Sequence, residues 1–191
     1  MKNRIARLQK SLEKLSLDGL LVTNPYNISY LADYKCRDAY LLVLKKEALY
    51  VTDARYTQEM KDNLSGIKVV DCKPSLLAVF AKLCKTRGVS RLGFEEQYLS
   101  YASYKKISQA VTAQLTPVSG MIEALRQVKD KEEIIRIRRA TQIAMQAYGY
   151  IQDFLKPGVR EIEVAGEIER FIRFEGASCA SFDIIVASGP N

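Results

Sequence analysis

The chain has no histidine and no tryptophan, and its five prolines fall singly across 191 residues. Its four cysteines, Cys36, Cys72, Cys84 and Cys179, include no Cys-x-x-Cys pair. Each absence removes a class of chemistry. Without an imidazole there is no usual general base, no activator for a serine or cysteine nucleophile, and no conventional zinc site. No glycine-rich phosphate loop and no nucleophile elbow is present. The apolar runs are short, Ala39 to Leu44 being typical, so nothing approaches the roughly 20 residues that cross a bilayer. Scattered cysteines without a secretory leader read as reduced, packed thiols of a cytoplasmic protein, which makes Asn27-Ile28-Ser29 and Asn63-Leu64-Ser65 chance matches to the glycosylation pattern.

What is present is a folded protein's composition, 48% hydrophobic and 27% charged. The net charge of +7 is uneven: residues 1–125 hold 19 Lys and Arg against 12 Asp and Glu, while residues 126–191 hold 10 of each. A basic region can bind nucleic acid, but Lys10, Lys35, Lys61, Lys85 and Lys105 are dispersed and no aromatic or Arg-rich motif accompanies them. They read as a solvated surface, with no nucleic-acid or membrane partner.

Ile5, Leu8, Leu12 and Leu15 have helical spacing, and early acids such as Glu13 and Asp18 set this amphipathic helix apart from a mitochondrial presequence. Gly19 to Thr23 reads as a buried strand closed by a turn at Asn24-Pro25, and Ala39–Leu44 with Ala48–Thr52 as a hairpin. Helix-like segments at Tyr56–Leu64, Leu76–Leu83 and Ser100–Ala113 alternate with strands at Ile67–Val70, Arg91–Phe94 and Leu115–Val118, which is an α/β pattern. Gly120–Lys129 reads as a connector. Asp130 and Glu133 have capping-box spacing and open a long helix with an apolar stripe of Ile134, Ile137, Thr141, Ala144, Tyr148 and Ile151. A second helix places Val164, Ile168, Phe171 and Ile172 on one face and stops at Gly176, before a strand at Ser181–Ala187 and a turn at residues 188–191.

Local candidates for chemistry are few. Glu161, Glu163, Glu167, Glu169 and Glu175 point around their helix rather than converge, which is a solvated face. Asp53 and Arg55 follow a strand, where functional loops lie, yet Asp before a helix is a frequent N-cap. Tyr26, Tyr30 and Tyr34 either line a groove or pack as amphipathic core.

The runs from Asp18 to Leu31 and from Thr52 to Tyr56 resemble the creatinase and prolidase N-terminal domain. Leu125-Arg126-Gln127-Val128-Lys129-Asp130, Arg138-Arg139-Ala140, Lys156-Pro157-Gly158-Val159 and the run Ser181 to Asn191 resemble the start of the pita-bread metallopeptidase domain that follows it. One position departs: relatives often carry Ser or Thr where this chain has Arg160 before the second helix.

The resemblance implies an α/β N-terminal domain with a mixed sheet over residues 1–125, then an incomplete α+β pita-bread domain over residues 126–191. It implies a parent exopeptidase acting at Xaa-Pro bonds, of aminopeptidase P or prolidase type, that takes proline-containing peptides and forms a homo-oligomer. Creatinase-like hydrolases and non-catalytic binding or scaffolding modules share the fold. The family's two divalent metals, Mn, Co or Zn, sit on ligands that would all lie beyond Asn191, so this chain by itself is expected to hold no catalytic or metal residue. By resemblance Phe182 and Ile185 wall the substrate pocket, a plain core role being the alternative.

Overall fold

Strands whose every residue is apolar need cover on both sides, and the segments Gly19–Val22 and Ala39–Leu44 are of that kind. The computed structural model describes residues 2–36 and 38–190, and the chain divides into two compact units, Met1–Val128 and Lys129–Asn191. In the first, β1 (Gly19–Val22), β2 (Ala39–Leu44), β3 (Ala48–Thr52), β4 (Lys68–Asp71), β5 (Arg91–Glu95) and β6 (Gln114–Val118) form one sheet in the order β4-β3-β2-β1-β5-β6. Only β2 runs against the others, pairing antiparallel with β1 and β3, so the sheet is mixed.

Successive strand residues alternate between two cores. Leu20, Val22, Leu41, Val43, Ala48 and Tyr50 face one layer of helices: α1 (Lys2–Lys14) through Leu8 and Leu12, α2 (Pro25–Ala32) through Ile28 and Leu31, α3 (Ala54–Asn63) through Met60. Leu21, Leu42, Leu44, Leu49 and Leu92 face the other, where α4 (Leu76–Thr86) brings Phe80 and Cys84 and α5 (Tyr101–Ala110) brings Ile107. Gly93 sits mid-strand because a Cβ there would come within 2.9 Å of Leu17 and 3.0 Å of Leu20 and Val118.

Two first-unit readings are corrected. Asn24-Pro25 is not a turn but the start of α2: the Asn24 side chain accepts from the Tyr26 N–H and Pro25 takes a first-turn position, where its missing N–H costs nothing. Residues 120–129 are not a bare connector, because they contain α6 (Met121–Gln127), whose Ile122 is buried in the first unit's core. Its apolar spacing is too brief to stand out as a period.

The second unit is an α-hairpin of α7 (Lys131–Phe154) and α8 (Glu161–Phe174). Asp130 and Glu133 form the expected capping box. The apolar stripe on α7 is corrected: its buried residues are Ile143, Ala147 and Ile151, while Ile134, Ile137 and Tyr148 are 40%, 50% and 69% exposed. The 14 residues of α8 reach alongside only the later part of the 24-residue α7, and Arg139 meets Glu175 at their shared end. At α8 no described side chain caps the first-turn N–H groups in place of Ser or Thr, and only the return bond of a capping box forms: the Glu163 carboxylate accepts from the Arg160 N–H at 2.9 Å and its guanidinium at 3.0 Å. Ser181–Ala187 forms no strand, because a strand exists through a partner's hydrogen bonds and none of the described residues pairs with it. Met1 and Asn191, at the ends of the expected first helix and last turn, lie outside the described residues.

Candidate functional site

Because β1, β3, β4, β5 and β6 share one direction, their C-terminal ends share one sheet edge, the edge at which α/β folds collect ligands. A cavity of about 590 Å3 opens there. It is lined by Thr23 after β1, Asp53 after β3, Cys72 after β4, Asp38 and Tyr40 at the start of β2, and Tyr56 and Tyr98. Asp53 caps α3 by accepting from the Arg55 N–H at 2.8 Å, and the Arg55 guanidinium returns to the same carboxylate at 2.6 Å. Arg55 also lies 3.7 Å from Asp38 and 5.2 Å from the centre of the Tyr56 ring. Its hydrogen bond holds the Asp53 carboxyl below the usual range. The capping reading of Asp53 is therefore met, and the pair also borders the cavity.

Cys36 lines the cavity as well, and neither it nor Cys72 is poised to react. Burial pushes the Cys36 thiol up to about 11, and burial followed by the Asp53 and Asp71 carboxylates raises Cys72. Both are thiols rather than thiolates at neutral pH, so the cavity offers no thiolate nucleophile. Of the three tyrosines singled out in the sequence, Tyr30 and Tyr34 pack against the core and Tyr26 is 71% exposed. The rings that line the cavity are Tyr40, Tyr56 and Tyr98.

Further along the same edge a buried polar cluster joins three elements. Glu95, at the end of β5, accepts from the Thr23 and Asn24 N–H groups at 2.7 and 2.9 Å with one oxygen and from the Asn27 amide at 2.6 Å with the other. The same Asn27 nitrogen donates to Glu123 at 2.6 Å, and the Arg126 guanidinium donates to the Asn27 oxygen at 2.9 Å. Asn27 is wholly buried and Glu95 is 9% exposed. A second cavity of about 180 Å3 borders Glu95 and Glu123. No spacing in the sequence links residues 27, 95, 123 and 126; the only trace is a carboxylate closing an apolar strand.

In the second unit a cavity of about 600 Å3 lies along α7 and α8, walled by Ile143, Ala147, Ile151, Ile168 and Ile172. Phe182 borders it while 76% exposed; Ile185 is 85% exposed and does not. The two sequence-predicted pocket residues are thus not brought together, and neither is core in this chain. The α8 carboxylates do not converge. Glu163 pairs with Arg160, Glu169 with Arg173, and Glu161 accepts from Ser188. Glu167, held by Arg170 and the Tyr150 hydroxyl, is drawn down to about 2. Among the described residues no group of three or more His, Cys, Asp or Glu side chains could hold a metal ion, and no helix is long and apolar enough to cross a membrane.

Comparison with known proteins follows the same division. Residues 4–128 match the family described as the creatinase/prolidase N-terminal domain, and residues 135–191 match metallopeptidase family M24. An uncharacterised peptidase of Bacillus subtilis is 35% identical over 97% of this chain and 53% of its own length. A Xaa-Pro dipeptidase of Pyrococcus furiosus is 31% identical over 99% of this chain and 53% of its own. Among solved structures, a Xaa-Pro dipeptidase from Bacillus anthracis superposes with a TM-score of 0.92 at 38% identity, over 97% of this chain and 52% of that one. The chain spans about half the length of the curated relatives it matches.

Proposed function

The chain belongs to the creatinase/prolidase N-terminal domain family, and from that membership we propose that it forms the front half of a metal-dependent exopeptidase hydrolysing Xaa-Pro peptide bonds. The observation that carries the reading is the succession of two family matches in one chain, an N-terminal domain over residues 4–128 and a metallopeptidase segment over residues 135–191. The residues present do not fit the two divalent ions of such an enzyme, since no described cluster offers three suitable ligands. The ions, Mn, Co or Zn, fall to side chains outside residues 1–191.

Within this chain the second unit contributes pocket wall. Phe182 and Ile185 are the residues offered to the proline ring, and their exposure supports that role, because a large apolar side chain left 76% or 85% exposed is free to be covered by a ligand or by further chain. The reading includes a cytoplasmic, homo-oligomeric enzyme.

The test is to express the protein at its relatives' full length and assay it with manganese, cobalt or zinc on Xaa-Pro dipeptides and Xaa-Pro-Yaa tripeptides. Turnover confined to dipeptides marks a prolidase; release of the first residue from longer peptides marks an aminopeptidase. Phe182→Ala should raise KM for the proline substrate. Residues 1–191 alone should give no turnover. Failure of the full-length protein on every Xaa-Pro peptide, with metal bound, replaces the reading by a binding module of the same fold. Sedimentation of that protein as a micromolar monomer removes the oligomer.

A further inference from the structure

The polar cluster at the end of β5 has a property that its individual bonds do not. Asn27 is its hub, and the amide has no freedom of orientation. Arg126 carries only donors and must meet the amide oxygen; Glu95 and Glu123, as carboxylates, carry only acceptors and must meet the amide nitrogen. Two negative charges therefore converge on one neutral nitrogen, against one positive charge on its far side. Among the described residues, the charged groups of the cluster that face Glu95 belong to α6, Glu123 at the shared nitrogen and Arg126 through Asn27. The β1–α2 corner presents the neutral N–H groups of Thr23 and Asn24, and Asn27 itself.

The helix that supplies Glu123 and Arg126 is short and weakly capped. α6 has seven residues, its N-cap is Gly120 at φ +65° with no side-chain cap, and its one fully buried side chain is Ile122. Met121 and Leu125 are only partly buried, and the Tyr30 hydroxyl donates to the Leu125 carbonyl at 3.1 Å. Short helices are marginal without tertiary contacts, and this cluster, with the packing of Ile122, is among those that hold α6.

We infer that Asn27, Glu95, Glu123 and Arg126 form a proton-sensitive latch on α6, the helix through which the chain leaves the first unit, and that the latch is tighter with one proton bound than with none. A proton added to the Glu95 oxygen that faces Asn27 leaves in place the Thr23 and Asn24 bonds, which run to the other oxygen. It leaves one carboxylate opposite one guanidinium. Burial raises the Glu95 pKa above 4.5 and Glu123 adds to the rise, against the three hydrogen bonds that lower it. A folded-state pKa raised in this way contributes stability below the ordinary carboxylate value and loses it as pH climbs through the raised one. The latch closes in mild acid and eases toward neutrality.

Hydrogen exchange by mass spectrometry on the 191-residue chain, with rates normalised to the unstructured peptide at each pH, tests this. A peptide spanning 121–128 should lose protection severalfold from pH 4.5 to pH 8, while one spanning the β2–β3 hairpin should not. Glu123→Gln removes one charge, keeps an acceptor for Asn27 and sits at a half-exposed position that tolerates change. It should raise α6 protection severalfold at neutral pH and flatten the pH dependence. Either of two results overturns the latch: α6 tracking the hairpin at every pH in the wild type, or Glu123→Gln lowering α6 protection at neutral pH.

Discussion

The two units of this chain use similar side chains to different ends. In the first, apolar residues on both faces of a six-stranded sheet meet helices, so that Leu20, Leu21, Leu41, Leu42, Leu49, Tyr50 and Phe80 are all excluded from water. In the second, α7 and α8 bury Ile143, Ala147 and Ile172 against one another and leave Ile135, Met145, Ile162 and Phe174 exposed. A sheet with two covered faces closes its own core, whereas two helices share a single seam and each keeps a face that nothing in the hairpin can cover. Apolar content therefore does not measure stability; what matters is whether the topology supplies a second layer.

That contrast can be broken most directly by protease. Cleavage of the 191-residue chain should concentrate in residues 129–190, above all in the irregular stretch after Gly176, and leave a resistant fragment ending near Val128, identified by mass. Equal resistance of both regions in a monodisperse monomer would mean that the hairpin hides its apolar faces in a way the fold does not reveal. The next largest effect is in the cores. Phe80→Ala removes a wholly buried ring packed edge-to-face on Tyr40 at 5.6 Å, and should cost about 3–5 kcal/mol in urea unfolding of the first unit. Ile172→Ala already borders open space and should cost about 2 kcal/mol or less.

A pair of glycines sharpens the comparison because the two effects should have opposite signs. Gly93→Ala forces a methyl against Leu17, Leu20 and Val118 and should destabilise the first unit by about 1–3 kcal/mol. Gly166→Ala, mid-helix in α8 with nothing within 4 Å, should stabilise the second by about 1 kcal/mol. Thermal melts of both variants decide it.

The smallest effect is electrostatic and confined to the first unit. Asp18 accepts from the Arg91 and Ser90 N–H groups and from Lys45, each at 3.0 Å, and these bonds lower its pKa below 3.8, the Arg91 N–H foremost. A depressed folded-state pKa gives stability that is present above the unfolded value and lost as pH falls through the folded one. Asp18→Asn should therefore cost about 1 kcal/mol near neutrality and nothing at low pH. Urea midpoints measured from pH 2 to pH 7 should converge at the acid end; a constant gap would assign the loss to packing instead.

Much of the fold was legible because local signals agreed with each other. The β2–β3 hairpin, the α/β alternation, the Asp130 capping box and the Asp53 cap each follow from spacing and residue type over a few positions. The misreadings share a cause. Asn24-Pro25 serves a turn and a helix start equally well, and α6 is too short to display a period. The stripe on α7 met the buried face only at Ile151, because the helix is apolar on two sides and the sequence does not say which side α8 will cover. Ser181–Ala187 has strand composition but lacks a described partner.

The sequence by itself determined most of the elements, their order and, through motif resemblance, the family, because those depend on neighbours a few residues apart. Only the tertiary structure decided that Asn27, Glu95, Glu123 and Arg126 meet, and that Tyr40, Tyr56 and Tyr98 rather than Tyr30 and Tyr34 line the cavity. Those groupings join residues up to 99 positions apart. They come into being when parallel strands bring their C-terminal ends to one edge, and sheet pairing is a property of the whole chain rather than of any window in it.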